Sequence, residues 1–183
     1  QDLYYWVSDD EVDTLLLLQN YFSAFFPTLD TQTKGSVAIY DRFGEYQGTT
    51  PFNLAHCAAA RFRVSSLLES LNVSPDGGFG TLEVHIDIPA NVLEEIKGKR
   101  AGYFWDRFYI SYSNAKGQFC FVHGVDKAHI YSEGQSSVGY WYETPKYAAW
   151  APEIPVEMEQ YTRFSVVMLN RTSVDSETTL ILS

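Results

Sequence analysis

The clearest pattern in the chain is TLEVHIDIP, residues 81–89. Leu82, Val84, Ile86 and Ile88 fall on one face of an extended segment, and Glu83, His85 and Asp87 on the other. Shorter segments of the same kind follow: YFWDRFYISYS (103–113), GQFCFVHGV (117–125), SSVGYWYE (136–143), YTRFSVVMLN (161–170) and TTLILS (178–183). Gly, Asn and Pro turns separate them. Upstream, GSVAIYDRFGEYQG (35–48) reads as two short strands around a glycine turn, and SPDGGFG (74–80) as a turn. WAPEIPVEMEQ (150–160), with Pro152 and Pro155, reads as an extended loop.

Two stretches speak for helix. Ser8 followed by Glu11 forms a capping-box pattern, and Asp9, Asp10 and Asp13 put negative charge in a first turn, where it suits the helix dipole. Val12, Leu15, Leu16 and Gln19 continue at helical spacing until Pro27. The spacing predicts a helix over about 9–25, with a β-like alternative for 14–26 because the apolar run has no clean polar face. ANVLEEIKG (90–98) suits one or two helical turns. HCAAARFRVSSLLESLNV (56–73) fits both periods: Val64, Leu67, Leu68 and Leu71 match a helix, and Phe62 and Val64 between polar neighbours match a strand. There is no internal repeat and no alternating βα rhythm. The expected fold is mainly β, an antiparallel barrel or sandwich with one or two short helices, forming a single domain over 1–183.

The aromatic residues change this picture from fold to surface. At period two, Phe104, Phe108, Ile110 and Tyr112 face one way, while Trp105, Arg107, Tyr109, Ser111 and Ser113 face the other. Val138, Tyr140 and Tyr142 likewise form an apolar face opposite Ser137, Gly139, Trp141 and Glu143. Two Trp side chains therefore stand among polar neighbours. Exposed rings beside Arg, Ser and Glu stack on sugars or anchor protein partners. Trp105, Arg107, Tyr109, Trp141 and Glu143 are the receptor-binding candidates; packing under a loop, a second sheet or a subunit is the alternative for these rings.

Charge and cysteines narrow the function classes. The formal net charge is −10 and only KGKR at 97–100 is briefly basic, so a phosphate backbone is repelled and nucleic-acid binding is not expected. No apolar run approaches the roughly 18 residues of a membrane span. Cys57 and Cys120 sit in no CxxC or zinc spacing, and a disulfide and two reduced thiols are both compatible with the sequence. Cys120, between Phe119 and Phe121, reads as a small buried hydrophobe. The chain begins with Gln1 and reads as part of a longer polypeptide.

Chemistry is thinly signalled. Glu83, His85 and Asp87 recur about 6.6 Å apart along a strand face, which a solvated surface produces as readily as a metal site. His123, Asp126 and His129 do not converge on a strand or a helix. There is no GxSxG elbow. No catalytic residue, metal or cofactor is assigned; a hydrolase assembled from His85 or His123 with distant acids is the weakest of the alternatives. Asn72-Val-Ser and Asn170-Arg-Thr are glycosylation sequons, meaningful in a secretory pathway.

An acidic, Tyr- and Phe-rich, strand-dominated chain is similar to the projecting domain of a non-enveloped RNA virus capsid. YYWVSDDEVDTLLLL, RFYISYS, GQFCFVHG and SVVMLNRTSVDSETTLILS carry the likeness, and it most resembles the astrovirus capsid spike. The resemblance implies a compact β-barrel with decorated loops and a homodimer on the virion exterior. It further implies host-cell receptor attachment and recognition by neutralising antibodies. Assembly in the host cytoplasm would leave the sequons unmodified and the thiols reduced. No functional residue is carried over, and the leading acidic stretch has no counterpart in the likeness. The alternative reading is a cellular or secreted carbohydrate-binding β-sandwich using the same rings.

Overall fold

The computed structural model describes residues 2–74, 77–97, 108–123, 125–126, 129–132, 135–138 and 167. Their strands form two main antiparallel sheets. The first combines β1 (Asp2–Val7), β3 (Thr33–Asp41), β4 (Tyr46–Leu54), β6 (Phe79–Ile86) and β9 (Val125–Asp126) in the order β4-β3-β6-β1-β9. The second combines β2 (Val12–Gln19), β5 (Ala59–Arg63), β7 (Phe108–Asn114) and β8 (Phe119–His123) in the order β5-β2-β7-β8. β10 (His129–Ser132) and β11 (Gln135–Val138) form a separate ribbon. Three short helices, α1 (Phe22–Phe25), α2 (Val64–Ser70) and α3 (Ala90–Ile96), complete the described elements. Among the described residues the strands form a sandwich and not a closed barrel.

Alternation builds the core between the sheets. Tyr4 and Trp6 of β1, Val37 and Ile39 of β3, and Leu82, Val84 and Ile86 of β6 point inward from the first sheet. Leu16 and Leu18 of β2 with Phe108 and Ile110 of β7 point inward from the second. Val64, Leu67 and Leu68 of α2 join the same cluster. Trp6 is wholly buried, and its indole N–H is shared between the carbonyls of Tyr40 (3.1 Å) and Thr81 (3.0 Å). Gly80 lies directly opposite Trp6 in the register. A Cβ at that position would overlap the Tyr40 carbonyl and press on the indole at 2.9 Å.

The expected helix over 9–25 is overturned. Its two halves are the strand β2 and the single turn α1. The Ser8–Glu11 pattern is a reverse turn: Asp9 Oδ1 accepts the backbone N–H groups of Glu11 and Val12, and Asp9 N–H donates to Val12 O. An acidic side chain closes a turn as readily as it caps a helix. Leu16 and Leu18 face the core while Leu15 and Leu17 lie half-buried on the other face, so a period of two is hidden by apolar residues on both sides. The doubly readable stretch 56–73 holds both elements in succession: β5 ends at Arg63 and α2 begins at Val64. Asp13 Oδ1 accepts Ser65 N–H (3.2 Å) and Asp13 Oδ2 accepts the Ser65 hydroxyl (2.8 Å), tying β2 to the start of that helix. α3 matches expectation, making three short helices among the described residues where one or two were expected.

β1 is the strand that joins the layers. β9 covers only Asp2 and Leu3, so beyond Leu3 the opposite edge of β1 lacks a strand neighbour among the described residues. Side chains of the other sheet fill the gap. The Thr14 hydroxyl, wholly buried, accepts Val7 N–H (2.8 Å) and donates to Val7 O (2.7 Å). The Tyr112 hydroxyl donates to Tyr5 O (2.6 Å). The connectivity closes a circuit: β1 runs through the 8–11 turn into β2, β2 pairs with β7, β7 with β8, and β9, one residue beyond β8, pairs back onto β1.

Burial raises the Tyr112 pKa well above the usual phenol range, with a smaller contribution from Cys120. A raised folded-state pKa means the stabilisation is complete below about pH 10, the unfolded phenol value, and is lost as pH rises beyond it. Thermal unfolding should therefore show a fall in midpoint above that pH that Tyr112→Phe reduces. Thr14→Val should destabilise by about 1–3 kcal/mol in urea titration, because Val7 N–H and O lose their partner in a buried setting. A loss below about 0.5 kcal/mol would show that water replaces the hydroxyl.

Candidate functional site

The outer face of the four-stranded sheet is set by register. One row across it is Arg61, Leu17, Tyr109 and position 123; the next is Arg63, Leu15, Ser111 and Phe121; the third is Asp13, Ser113 and Phe119. Side chains two apart on each strand share this face. Arg61 and Arg63 form an exposed cationic rim on β5. Arg63 Nη1 lies 3.4 Å from Asp13 Oδ2. Leu15 and Leu17 make a half-buried middle, and Ser111, only 3% exposed, lies between Leu15 and Phe121 as a floor. On the far side Phe119 and Phe121 are 65% and 54% exposed and meet edge to face with centroids 5.2 Å apart. Tyr109 stands beside them, about one-third exposed.

A sheet that faces only water carries polar residues on its outer positions. This one carries two Leu, one Tyr and two Phe. The outer face therefore departs from the solvated pattern, and its exposed aromatic pair, Phe119 and Phe121, meets edge to face.

Of the sequence-derived candidates, Tyr109 is on this face, with Ser111 and Ser113 on the same side and Phe108, Ile110 and Tyr112 on the inner side, as period two requires. Trp105, Arg107, Trp141 and Glu143 lie outside the described residues, as do Tyr140 and Tyr142. The reading of Cys120 as buried is overturned: it points inward from β8, yet it is exposed, because β8 is the last described strand of its sheet. Cys57 is exposed too, and neither thiol is bridged. Phe119, Phe121, Leu15 and Leu17 were not singled out by the sequence. The period-two alternation of QFCFVH, with Phe119 and Phe121 on one side, is the signal that would have found them.

The Glu83–His85–Asp87 face belongs to the outer side of the five-stranded sheet. His85 Nε2 lies 3.2 Å from Asp87 Oδ1, with both side chains more than half exposed. Glu83 accepts a long hydrogen bond from Tyr40 (3.4 Å). Partial burial, with Glu83 second, raises the Tyr40 pKa. Tyr40 in turn packs edge-on against Tyr46 at 5.8 Å. No group of three metal-ligating side chains occurs among the described residues. His123, Asp126 and His129 fall on three different strands, β8, β9 and β10. A further polar cluster joins α1 to neighbouring loops: Ser23 Oγ bonds Thr31 Oγ1 (2.8 Å), which bonds His56 Nδ1 (2.9 Å), and Cys57 N–H donates to Ser23 Oγ.

Among the described residues no helix is long and apolar enough to cross a membrane. Compared with known proteins, the chain matches no family model, no curated sequence and no solved structure.

Asp13 sits at the corner of the site as the carboxylate that holds α2 and Arg63. Asp13→Ala should lower stability by about 1 kcal/mol, the usual effect of losing a helix cap. Arg63→Ala should cost less than about 0.5 kcal/mol, since an exposed pair contributes little. Denaturant midpoints of the two variants test this order; the reverse order would show the ion pair to be the dominant tie.

Proposed function

We propose that this chain is a non-catalytic recognition module of the kind a non-enveloped virus displays on its capsid exterior, and that it attaches to a host-cell receptor. The observation that carries the reading is the outer face of the four-stranded sheet, where Tyr109, Phe119 and Phe121 stand exposed on paired strands. Strands position rings more rigidly than loops do, and rigid aromatics are the usual anchors of a recognition surface. Arg61 and Arg63 on the opposite rim add donors for a carboxylate or a polar ligand edge. The net charge of −10 suits a module facing outward and disfavours one lining packaged RNA. Attachment, antibody recognition and the virion location are parts of this same proposal.

A second reading, a carbohydrate-binding sandwich, is favoured by the edge-on pair Tyr40 and Tyr46 beside Glu83 on the other sheet. A ring next to a carboxylate provides a stacking surface and an acceptor for sugar hydroxyls.

Binding of the domain to a panel of cultured cells and to a glycan array separates the two. Tyr109→Ala and Phe119→Ala should each weaken cell binding about tenfold or more at unchanged thermal midpoint. Tyr46→Ala should leave cell binding intact. Loss of glycan binding in Tyr46→Ala alone would favour the carbohydrate reading, and full cell binding by both stable β7–β8 variants would sink the attachment face.

A further inference from the structure

We infer that His56 is a pH-sensitive latch. In its neutral form it ends a one-way hydrogen-bond relay that ties together two crossings between the sheets, and protonation breaks that relay. Its role is independent of the attachment reading.

Residues 20–32, with α1, lead from β2 in the second sheet to β3 in the first, and residues 55–58 lead from β4 in the first to β5 in the second. Polar side chains join the two crossings. Asn20, buried, donates through Nδ2 to Thr31 O (2.7 Å) and Ala55 O (2.9 Å), and its backbone N–H donates to Ala58 O. Cys57 has a left-handed backbone, φ 56°, which residues other than glycine seldom adopt. Its N–H donates to Ser23 Oγ (2.8 Å). Ser23 Oγ lies 2.8 Å from Thr31 Oγ1, which lies 2.9 Å from His56 Nδ1. Ser23 and Thr31 are both buried, Thr31 wholly so, and His56 is half-buried.

Counting protons gives the relay its direction. A backbone N–H only donates, so Ser23 Oγ accepts from Cys57. Among the described residues the one acceptor within reach of the Ser23 hydroxyl proton is Thr31 Oγ1. Thr31 accepts that proton and donates its own to His56 Nδ1. Every buried hydroxyl is then satisfied, provided Nδ1 is bare and the ring proton sits on Nε2. A second ring proton enters at Nδ1 and turns this acceptor into a donor. Thr31 must then donate to Ser23, and the Ser23 hydroxyl proton is left buried without an acceptor.

Among the described residues no carboxylate pairs with His56 to offset that loss. The ionisable groups beside the relay are Cys57, which is exposed, and Asp30, whose Oδ1 accepts Gln32 N–H. The unfolded chain takes up an imidazole proton near pH 6.5, as a free side chain does, whereas the folded chain forfeits a hydrogen bond by doing so. The latch therefore contributes stability above about pH 6.5 and loses it as the pH falls toward 5.

Urea unfolding of the whole chain between about pH 7.5 and pH 5 tests this against His56→Asn, whose Oδ1 replaces Nδ1 as an acceptor and does not titrate. Over that range the wild type should lose about tenfold in its folding constant relative to His56→Asn. Thr31→Val, which cuts the imidazole off from Ser23, should be less stable than wild type at neutral pH and should share the weaker acid dependence of His56→Asn. Ring nitrogen NMR of the wild type reads the tautomer without any substitution: at neutral pH His56 should carry its proton on Nε2. Equal acid dependence in the wild type and His56→Asn, wild-type acid dependence in Thr31→Val, or a proton on Nδ1 at neutral pH would each overturn the inference.

Discussion

One half-paired strand governs the structure. Among the described residues β1 has a full antiparallel neighbour in β6 and only a two-residue neighbour in β9 on its other side. Its remaining backbone groups would be buried without partners, at a cost of about 1–3 kcal/mol for each. The Thr14 and Tyr112 hydroxyls meet them from the opposite layer. Hydrophobic contact alone holds two sheets together without fixing how they are placed. Directional bonds from β2 and β7 to named atoms of β1 add that definition, and they carry it to the outer face of the same two strands.

The inner and outer faces of the second sheet are thus linked. Thr14 and Tyr112 point inward, and the intervening residues Leu15, Ser111 and Ser113 point outward. Fixing one set fixes the other, since neighbouring side chains on a strand alternate. The aromatic surface is displayed on a frame whose position is set from behind. For recognition this matters because a preorganised ring loses little freedom on binding.

Much of this was legible in the sequence where one face of a strand is polar. The alternation in 81–89 gave Leu82, Val84 and Ile86 as core and placed His85 and Asp87 at the surface, and the inner face of β7 followed in the same way. Reading failed at β2. Its outer leucines erased the contrast on which a period of two depends, and four acids with a serine imitated a helix start. That failure is itself informative, because a strand apolar on both sides is one whose outer side also makes contacts. The 56–73 stretch was ambiguous for a different reason: both periods are present, one after the other, and Val64, which fits either pattern, is the first residue of the helix. Cys120 was misread because small apolar residues between aromatics suggest interior, while exposure at an edge strand is decided by which strand comes next to it.

The circuit that runs β1, β2, β7, β8, β9 and back to β1 has a bearing on how the molecule fluctuates. Covalent links alternate with hydrogen-bonded ladders around it, so neither sheet can open without straining the other. A sandwich whose layers meet only through side chains is able to lose one sheet as a partial unfolding unit. Here the slowest-exchanging amides of β6 and β7 should belong to one cooperative event, and the domain should behave as a single unit of exchange, resisting the partial openings through which proteases nick exposed modules.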